Sequence, residues 1–93
     1  MLFLIHCVDK PNSSALRSEV RPKHLAYLEG SKVAWAFAGP MLADDATTAK
    51  CSLLIGDFPD LAAAKAYAAG DPYVQAGLFA QVTVMPTRKV LPA

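Results

Sequence analysis

Two short segments of the chain each set one titratable residue beside a proline, and together they could carry out acid–base chemistry. Residues 21–25 contain His24 shortly after a proline, and residues 70–77 contain Asp71 directly before one. Proline fixes its own backbone φ at about −65°, so each segment is expected to start a rigid helical turn. A histidine oriented by a carboxylate can accept and return a proton near neutral pH. His24 and Asp71 are therefore the candidate catalytic residues.

Each member of this pair also has a purely structural interpretation. His24 could be a partly exposed histidine in the first turn of a helix, and Asp71 could be an ordinary helix N-cap. If His24 is a base, the helix N-terminus and the cations of Arg21 and Lys23 disfavour imidazolium and leave the ring able to accept a proton. An aspartate partner would act in the opposite direction and fix the tautomer. One oxygen of Asp71 could cap a helix while the other faces a pocket.

Four further residues are candidates for substrate binding. Arg17 and Arg21 could hold an anionic or phenolate group, and structural ion pairs with Asp9 are an equally good interpretation. Tyr73 could line a pocket, although an aromatic residue in such a position is more often part of a core. Ser52 has no activating neighbour in the sequence, so covalent catalysis is not expected.

The cysteines and histidines do not show the spacing of a metal site, because no C-x-x-C or H-x-x-x-H pair occurs. We therefore expect no metal and no cofactor. Cys7 and Cys51 are expected to be free thiols at the same end of neighbouring strands, where they could be oxidised in vitro.

Composition favours one domain over residues 1–93. Hydrophobic residues make up 54% of the chain, which is typical of a folded globular protein. The formal net charge is +1 and the basic residues form no run, so no nucleic-acid partner is expected. The apolar residues 1–5 are too few to span a membrane and lack the basic flank of a signal peptide. We expect a cytoplasmic protein with no membrane partner.

The periodicity of apolar residues predicts the element order β-α-β-β-α-β, an α+β ferredoxin-like fold. Right-handed crossovers place the first and third strands at the centre of a four-stranded antiparallel sheet with helices on one face. Pro22 removes a backbone donor, so the first helix is expected to break near residues 19–21 and a second helix to start at the proline. Strands are predicted over 2–9, 33–42, 50–57 and 78–87, helices over 15–29 and 61–69, one helical turn over 72–76, and the buried stripe of the first helix is Leu16, Val20, Leu25 and Leu28.

The first two strands are apolar on both of their faces. When helices cover one face of an antiparallel sheet, the other face is normally polar because it meets water. A second apolar face needs a cover, and the same face of a second copy is the simplest one. The alternation therefore predicts a homodimer built through the face that the helices leave open.

Several features occur in a fixed order along the chain: Asp9, Arg17, and the segments 21–25, 38–41 and 71–78. Together they resemble the YCII-type (YciI-like) family. The resemblance covers essentially the whole chain and implies a ferredoxin-like fold, a dimer of facing sheets and a pocket centred on His24 and Asp71. It also implies a reaction type, since one member is a dehydrochlorinase acting on a chlorinated hydroxyhydroquinone, and muconolactone isomerase has a similar dimeric architecture. The chain departs from the common pattern at His6 and in its short 43–49 loop.

Two functions of different classes fit these features. In the first, a cofactor-independent lyase or isomerase uses His24 to move a proton on a small cyclic or phenolic substrate, while Asp71 orients the imidazole ring. Arg17 or Arg21 would stabilise the negative charge that develops. In the second, a non-catalytic dimeric module binds a small molecule or supports another protein. A hydrogen bond between His24 and Asp71 inside a pocket would favour the enzyme, and side chains pointing into bulk water would favour the module.

Overall fold

The structure, a computed structural model, describes all residues from 1 to 93. Its elements are β1 (Leu2–Asp9), α1 (Ser14–Glu29), β2 (Trp35–Leu42), β3 (Ala49–Asp57), α2 (Leu61–Ala69), α3 (Pro72–Gln75) and β4 (Phe79–Thr87). The strands form one antiparallel sheet in the order β2-β3-β1-β4, which places β1 and β3 at the centre. The predicted α+β ferredoxin-like fold, with its helices on one face of the sheet, is confirmed.

The helix α1 runs through Pro22 without a break, so the predicted interruption near residues 19–21 is wrong. Its buried residues are Arg17, His24 and Leu28, which follow one another at helical spacing and form a single stripe. An interior proline costs about 3 kcal/mol of helix stability, and the packing of this stripe against the rest of the protein outweighs that cost. Of the predicted apolar stripe only Leu28 is buried.

The continuity of α1 changes the electrostatic setting of His24. The residue lies in the C-terminal half of a 16-residue helix, several turns from its start at Ser14. The field of a helix terminus acts within about one turn of that end. The expectation that a helix N-terminus disfavours the imidazolium form of His24 is therefore wrong.

The segment that carries Asp71 folds as predicted. The Asp71 side chain accepts a hydrogen bond from the backbone N–H of Tyr73 at 2.9 Å, and Pro72 occupies the first position of α3. Proline suits that position because its missing N–H would have no partner there. Gly77 then turns the chain into β4 with a φ of 75°, a conformation that side chains with a Cβ rarely adopt.

The two faces of the sheet have different surroundings. The covered face meets the helices, and residues from β1 and β3 pack there with Leu28, Phe58, Ala64 and Ala68. The open face has no helix over it, and its side chains from β1 and β3 are only half-buried. The covered face carries Phe3, Ile5, Cys7, Ser52 and Leu54, and the open face carries Leu4, His6, Val8, Cys51, Leu53 and Ile55, joined by Phe37 from β2 and Met85 from β4.

The two cysteines lie on opposite faces of the sheet. Cys7 pairs with Ser52 across β1 and β3, so Cys51, the next residue along β3, points the other way. Both cysteines are free, and their opposed Cβ directions exclude the intramolecular oxidation that their positions in sequence suggested. No helix of the protein combines the length and the apolar character needed to cross a bilayer.

Candidate active site

The buried polar and charged residues of the protein lie together at one place. They number four, Arg17, His24, Ser52 and Asp71, and each is at most 8% exposed. The ring of Tyr73, itself 1% exposed, lies between them, stacked on the His24 ring and facing the Arg17 guanidinium. Burying a polar group is costly unless it is paired, so such a cluster has to be organised by hydrogen bonds.

His24 and Asp71 form the first of these hydrogen-bonded units. The His24 Nδ1 lies 2.8 Å from Asp71 Oδ1, and both side chains are less than a tenth exposed. A carboxylate accepts hydrogen bonds, so Nδ1 is the donor in this contact, and in the neutral tautomer that this contact fixes Nε2 presents a lone pair. The same Oδ1 also accepts from the Tyr73 N–H. The prediction that different oxygens of Asp71 cap the helix and serve the pocket is therefore wrong, because Oδ1 contacts both partners.

The second ring nitrogen of His24 remains accessible to solvent. Nε2 has no hydrogen-bond partner in the chain. Every fully buried side-chain nitrogen or oxygen does have such a partner, so Nε2 is not fully buried. On its flat side the imidazole stacks on Tyr73, with centroids 4.0 Å apart and planes inclined by 18°. Stacking and the Asp71 hydrogen bond together fix the ring, which leaves a positioned base with one accessible nitrogen.

Asp9, Arg17 and Ser52 form the second unit. The Arg17 guanidinium donates to both oxygens of Asp9 at 2.7 Å and to Ser52 Oγ at 2.9 Å. Burial lowers the pKa of Arg17, but the hydrogen bonds and the charge of Asp9 outweigh that effect and raise it above its usual value. The sequence leaves two roles open for Arg17 and Asp9, substrate binding and a structural ion pair, and the structure contains the bidentate ion pair.

Beside these units lies a cavity of about 380 Å³ between α1, β2 and β3. His24 and Tyr73 form part of its wall, and the remaining polar side chains come from α1, β3 and the turn before β3. Arg21 reaches this cavity without a carboxylate partner, because the ion pairs of the chain involve other residues. The polar lining includes Ser18, Arg21, Thr47, Thr48 and Ser52.

One group on the wall and one in the turn that leads into β3 have shifted pKa values with clear causes. Burial raises the pKa of the Tyr73 phenol, and the charges of Arg17 and Arg21 only partly oppose this, so the hydroxyl stays protonated at neutral pH. In that turn, hydrogen bonds from the Thr48 side chain and from the Thr47 and Thr48 backbones hold the pKa of Asp45 at about 2. The ionised Asp45 thereby fixes the turn that brings Thr47 and Thr48 to the cavity.

The sequence comparison decides the family. A family model described as YCII-related domain matches residues 1–88 of the chain. The chain belongs to the YCII family. Protein YciI of Escherichia coli O6:H1 is 41% identical over 100 residues, covering 97% of this chain and 99% of the relative. A Haemophilus influenzae protein is 40% identical over 97 residues with the same coverage, 97% and 99%.

A solved structure extends the comparison to a protein with a named reaction. It is the 5-chloro-2-hydroxyhydroquinone dehydrochlorinase TftG from Burkholderia phenoliruptrix AC1100, in complex with 2,5-dihydroxybenzoquinone. The two chains are 34% identical and superpose with a TM-score of 0.86, and the alignment covers 95% of this chain and 94% of TftG. The predicted YCII membership is confirmed, and the fold is shared with an enzyme of small-molecule chemistry.

This YCII protein brings together most of the residues singled out in its sequence. His24, Asp71, Tyr73, Arg17 and Asp9 form one connected cluster, and Arg21 lines the adjoining cavity. Ser52 also belongs to this cluster, although nothing near it in the sequence could activate it. Strand alternation is the sequence signal that points to it, since Ser52 shares the covered face with Leu54 and is therefore a polar residue in a buried register.

Proposed function

We propose that this YCII protein is a cofactor-independent enzyme that moves a proton on a small cyclic or phenolic substrate, in a lyase or isomerase step. The observation that carries the proposal is the His24–Asp71 hydrogen bond of 2.8 Å, made by two buried side chains beside a cavity. A non-catalytic binding module has no need of a positioned base with an accessible nitrogen. The geometry therefore favours the enzyme.

The proposed roles follow from the charges around the cavity. Nε2 of His24 accepts the substrate proton, and Asp71 stabilises the imidazolium that results because its carboxylate already contacts Nδ1. The Tyr73 ring stacks on the imidazole and holds it in this orientation. Arg21, which lacks a carboxylate partner, stabilises the anion that the substrate becomes.

Elimination of hydrogen chloride is a reaction that His24, Asp71 and Arg21 can catalyse together. A hydroxyl proton first moves to the ring carbon that bears chlorine, which makes that carbon tetrahedral. The base then removes a second hydroxyl proton, the electron pair moves through the π system, and chloride leaves with the electrons of the carbon–chlorine bond, which gives a hydroxyquinone. Proton and chloride depart from one molecule, so no oxidant or cofactor is consumed. TftG, with the same fold, is named for such a reaction. Migration of a double bond needs the same base and the same anion stabilisation, followed by return of the proton.

We further propose that the working form is a homodimer joined through the open face. Phe37 and Met85 lie on that face and are 45% and 47% exposed, beside the half-buried Leu53 and Ile55. A second copy presents the same apolar face and can bury both at once. A dimer would sediment with about twice the 9.9 kDa mass of the chain at micromolar concentration, and a species of 9.9 kDa would contradict it.

The catalytic proposal is tested by turnover of 5-chloro-2-hydroxyhydroquinone, together with a set of related chlorinated hydroquinones and lactones. His24→Ala is expected to lower kcat/KM by about 10²–10⁴. Lys23→Ala, which changes the exposed neighbour of His24, is the control and should retain the wild-type rate. An active His24→Ala protein, or no turnover of any member of the set by wild type, would overturn the proposal.

Asp71→Asn separates orientation of His24 from capping of α3. Asparagine caps helices nearly as well as aspartate, so α3 should be kept while the carboxylate charge is lost. We expect a rate loss of about 10²–10⁴ with little change in stability. The double variant should be scarcely slower than His24→Ala alone, because both residues act in one step. Fully additive losses would remove Asp71 from the mechanism.

A further inference from the structure

Ser52 has an unusual position for a serine in the middle of a sheet. It lies on the covered face of β3, is 3% exposed, and lines the cavity beside His24 and Arg21. An apolar residue is typical of such a register position, and its neighbour on the same face, Leu54, belongs to the core. A hydroxyl buried here requires a hydrogen-bond partner, and the Ser52 hydroxyl can both donate and accept a hydrogen bond.

Only the acceptor capacity of Ser52 is used within the chain. Its single hydrogen bond joins Oγ to Arg17 Nη2 at 2.9 Å. Every N–H of an arginine is a donor, so Ser52 must be the acceptor in this contact. The hydroxyl proton of Ser52 therefore points elsewhere, and no other side chain or carbonyl of the protein receives it. Ser52 lines the cavity, so a ligand atom in the cavity can receive this proton.

The rest of the cavity wall has the same bias towards donors. Arg21 brings an unpaired guanidinium, and the Tyr73 phenol stays protonated. Asp9 and Asp71, the nearby carboxylates, are held by Arg17 and His24 and do not line the cavity. The cavity wall thus offers cations and hydroxyl donors without an opposing carboxylate, so it favours an anionic oxygen.

We infer that Ser52 is a substrate-binding residue whose hydroxyl, with Arg21, forms a subsite for an ionised oxygen conjugated to a carbonyl, as in a hydroxyquinone or an enolate. The inference takes its site from the proposed function and adds the class of substrate. In this arrangement Arg17 polarises the Ser52 hydroxyl by donating to its oxygen, which strengthens the bond that the hydroxyl donates in turn. Transfer of the substrate proton to His24 would create the negative charge that Ser52 and Arg21 stabilise.

A pair of matched ligands tests the subsite without any turnover. The hydroxyls of 2,5-dihydroxybenzoquinone are conjugated to carbonyls and ionise readily, whereas 2,5-dimethoxybenzoquinone has no proton to lose. Both dissociation constants are measured by titration at neutral pH. Wild type is expected to prefer the dihydroxy ligand at least tenfold. Equal affinities for the two ligands, or no binding of the dihydroxy ligand, would contradict the subsite.

Ser52→Ala should weaken the dihydroxy ligand about tenfold or more and leave the dimethoxy ligand within about twofold, since hydrogen bonds to charged groups are the strong ones. Ser52→Thr keeps the hydroxyl and should restore the preference. Ser31→Ala removes a serine hydroxyl that donates to the Leu28 carbonyl, and Ser31 itself does not line the cavity, so this change should alter neither affinity. A merely structural role for Ser52 would weaken both ligands equally, and that result would overturn the inference.

The two proposals fail in different experiments. If His24→Ala retains the wild-type rate, the catalytic proposal is wrong, whatever Ser52 contributes to binding. If Ser52→Ala leaves the ligand preference unchanged while His24→Ala abolishes turnover, the subsite is wrong and the base remains.

Discussion

The two faces of the sheet differ in which side chains they bury: the covered side buries polar groups, and the open face exposes apolar ones. The covered face buries Arg17, His24, Ser52 and Asp71, four residues that would be more stable in water unless each is paired. The open face leaves large apolar side chains such as Phe37 and Met85 about half exposed, although they would be more stable away from water.

The contrast separates what a fold needs from what a function needs. A sheet of this size could pack its helices over an entirely apolar face, so the polar cluster is not required for folding. It costs stability unless every partner is present, and this makes it a candidate for chemistry. The open face has no such polar cluster and differs from an ordinary surface in being apolar, which is the observation that supports the proposed dimer. Variants on each face should therefore fail in different ways.

The largest loss of stability is expected from the covered face. Arg17→Ala leaves the Asp9 carboxylate buried without its bidentate partner and should lower the free energy of unfolding by about 3–5 kcal/mol. Arg21→Ala, one turn further along the same helix, removes an exposed guanidinium with no carboxylate partner and should change it by less than about 0.5 kcal/mol. Urea denaturation measures both. Similar losses in the two variants would mean that the polar cluster is not the sensitive feature.

A charge on the open face should instead break the assembly. Leu53→Asp sets a carboxylate among apolar side chains that a second copy would cover, so the sedimenting mass should fall from about twice 9.9 kDa to 9.9 kDa. Leu53 is only half-buried in the single chain, so the folded subunit should lose less stability than Arg17→Ala does. Leu61→Asp places the same change on an exposed residue of α2 and should leave the mass unaltered. A Leu53→Asp protein that keeps the wild-type mass would place any dimer contact elsewhere.

The sequence is informative about the sheet because strand alternation is a local property. The bounds of β1 and α2 and the cap at Asp71 follow from the apolar period, a glycine and a proline, and the structure agrees with them. The sequence of β1 also predicts two apolar faces, since successive side chains point to opposite faces of the sheet and both sets are mainly apolar.

The sequence is less informative about α1 because its buried stripe is partly polar. A hydrophobic pattern cannot select Arg17 and His24 as buried, since their burial depends on Asp9 and Asp71, which are distant in the chain. The helix continues through Pro22 for the same reason, as tertiary packing overrides a local penalty. Strand alternation indicates that Ser52 is buried, but its partner Arg17 lies 35 residues away, so the sequence does not show what Ser52 contacts.

A smaller effect is expected at alkaline pH from Cys7 on the covered face. Burial raises the pKa of this thiol from 9.0 to about 12, with the charge of Asp71 as a further cause. A thiol whose pKa is raised on folding adds stability that is complete below pH 9 and is lost as pH rises from 9 towards 12. By pH 10 the loss should be about 1 kcal/mol. Cys7→Ala should lack this part of the pH dependence of unfolding, and identical slopes for the two proteins would contradict the assigned burial.

The mildest probe compares the two faces through the two cysteines. Cys7 and Cys51 come from neighbouring strands one register position apart, yet the first lies under the helices and the second on the open face. At pH 8 only about one Cys7 thiol in 10⁴ is ionised, and the residue is 3% exposed, so iodoacetamide should not modify it in the folded protein.

Cys51 should react, and its rate should report what covers the open face. A second copy lying on that face would restrict access to the thiol, so Cys51 should be alkylated more slowly in wild type than in Leu53→Asp, while Cys7 stays unmodified in both. Peptide mass spectrometry distinguishes the two sites. Equal Cys51 rates in the two proteins would mean that the contact leaves this end of β3 uncovered, and rapid modification of Cys7 would show that the covered face opens readily. Either result would change the comparison of the two faces, because that comparison assumes that helices cover one face and that the proposed second copy covers the other.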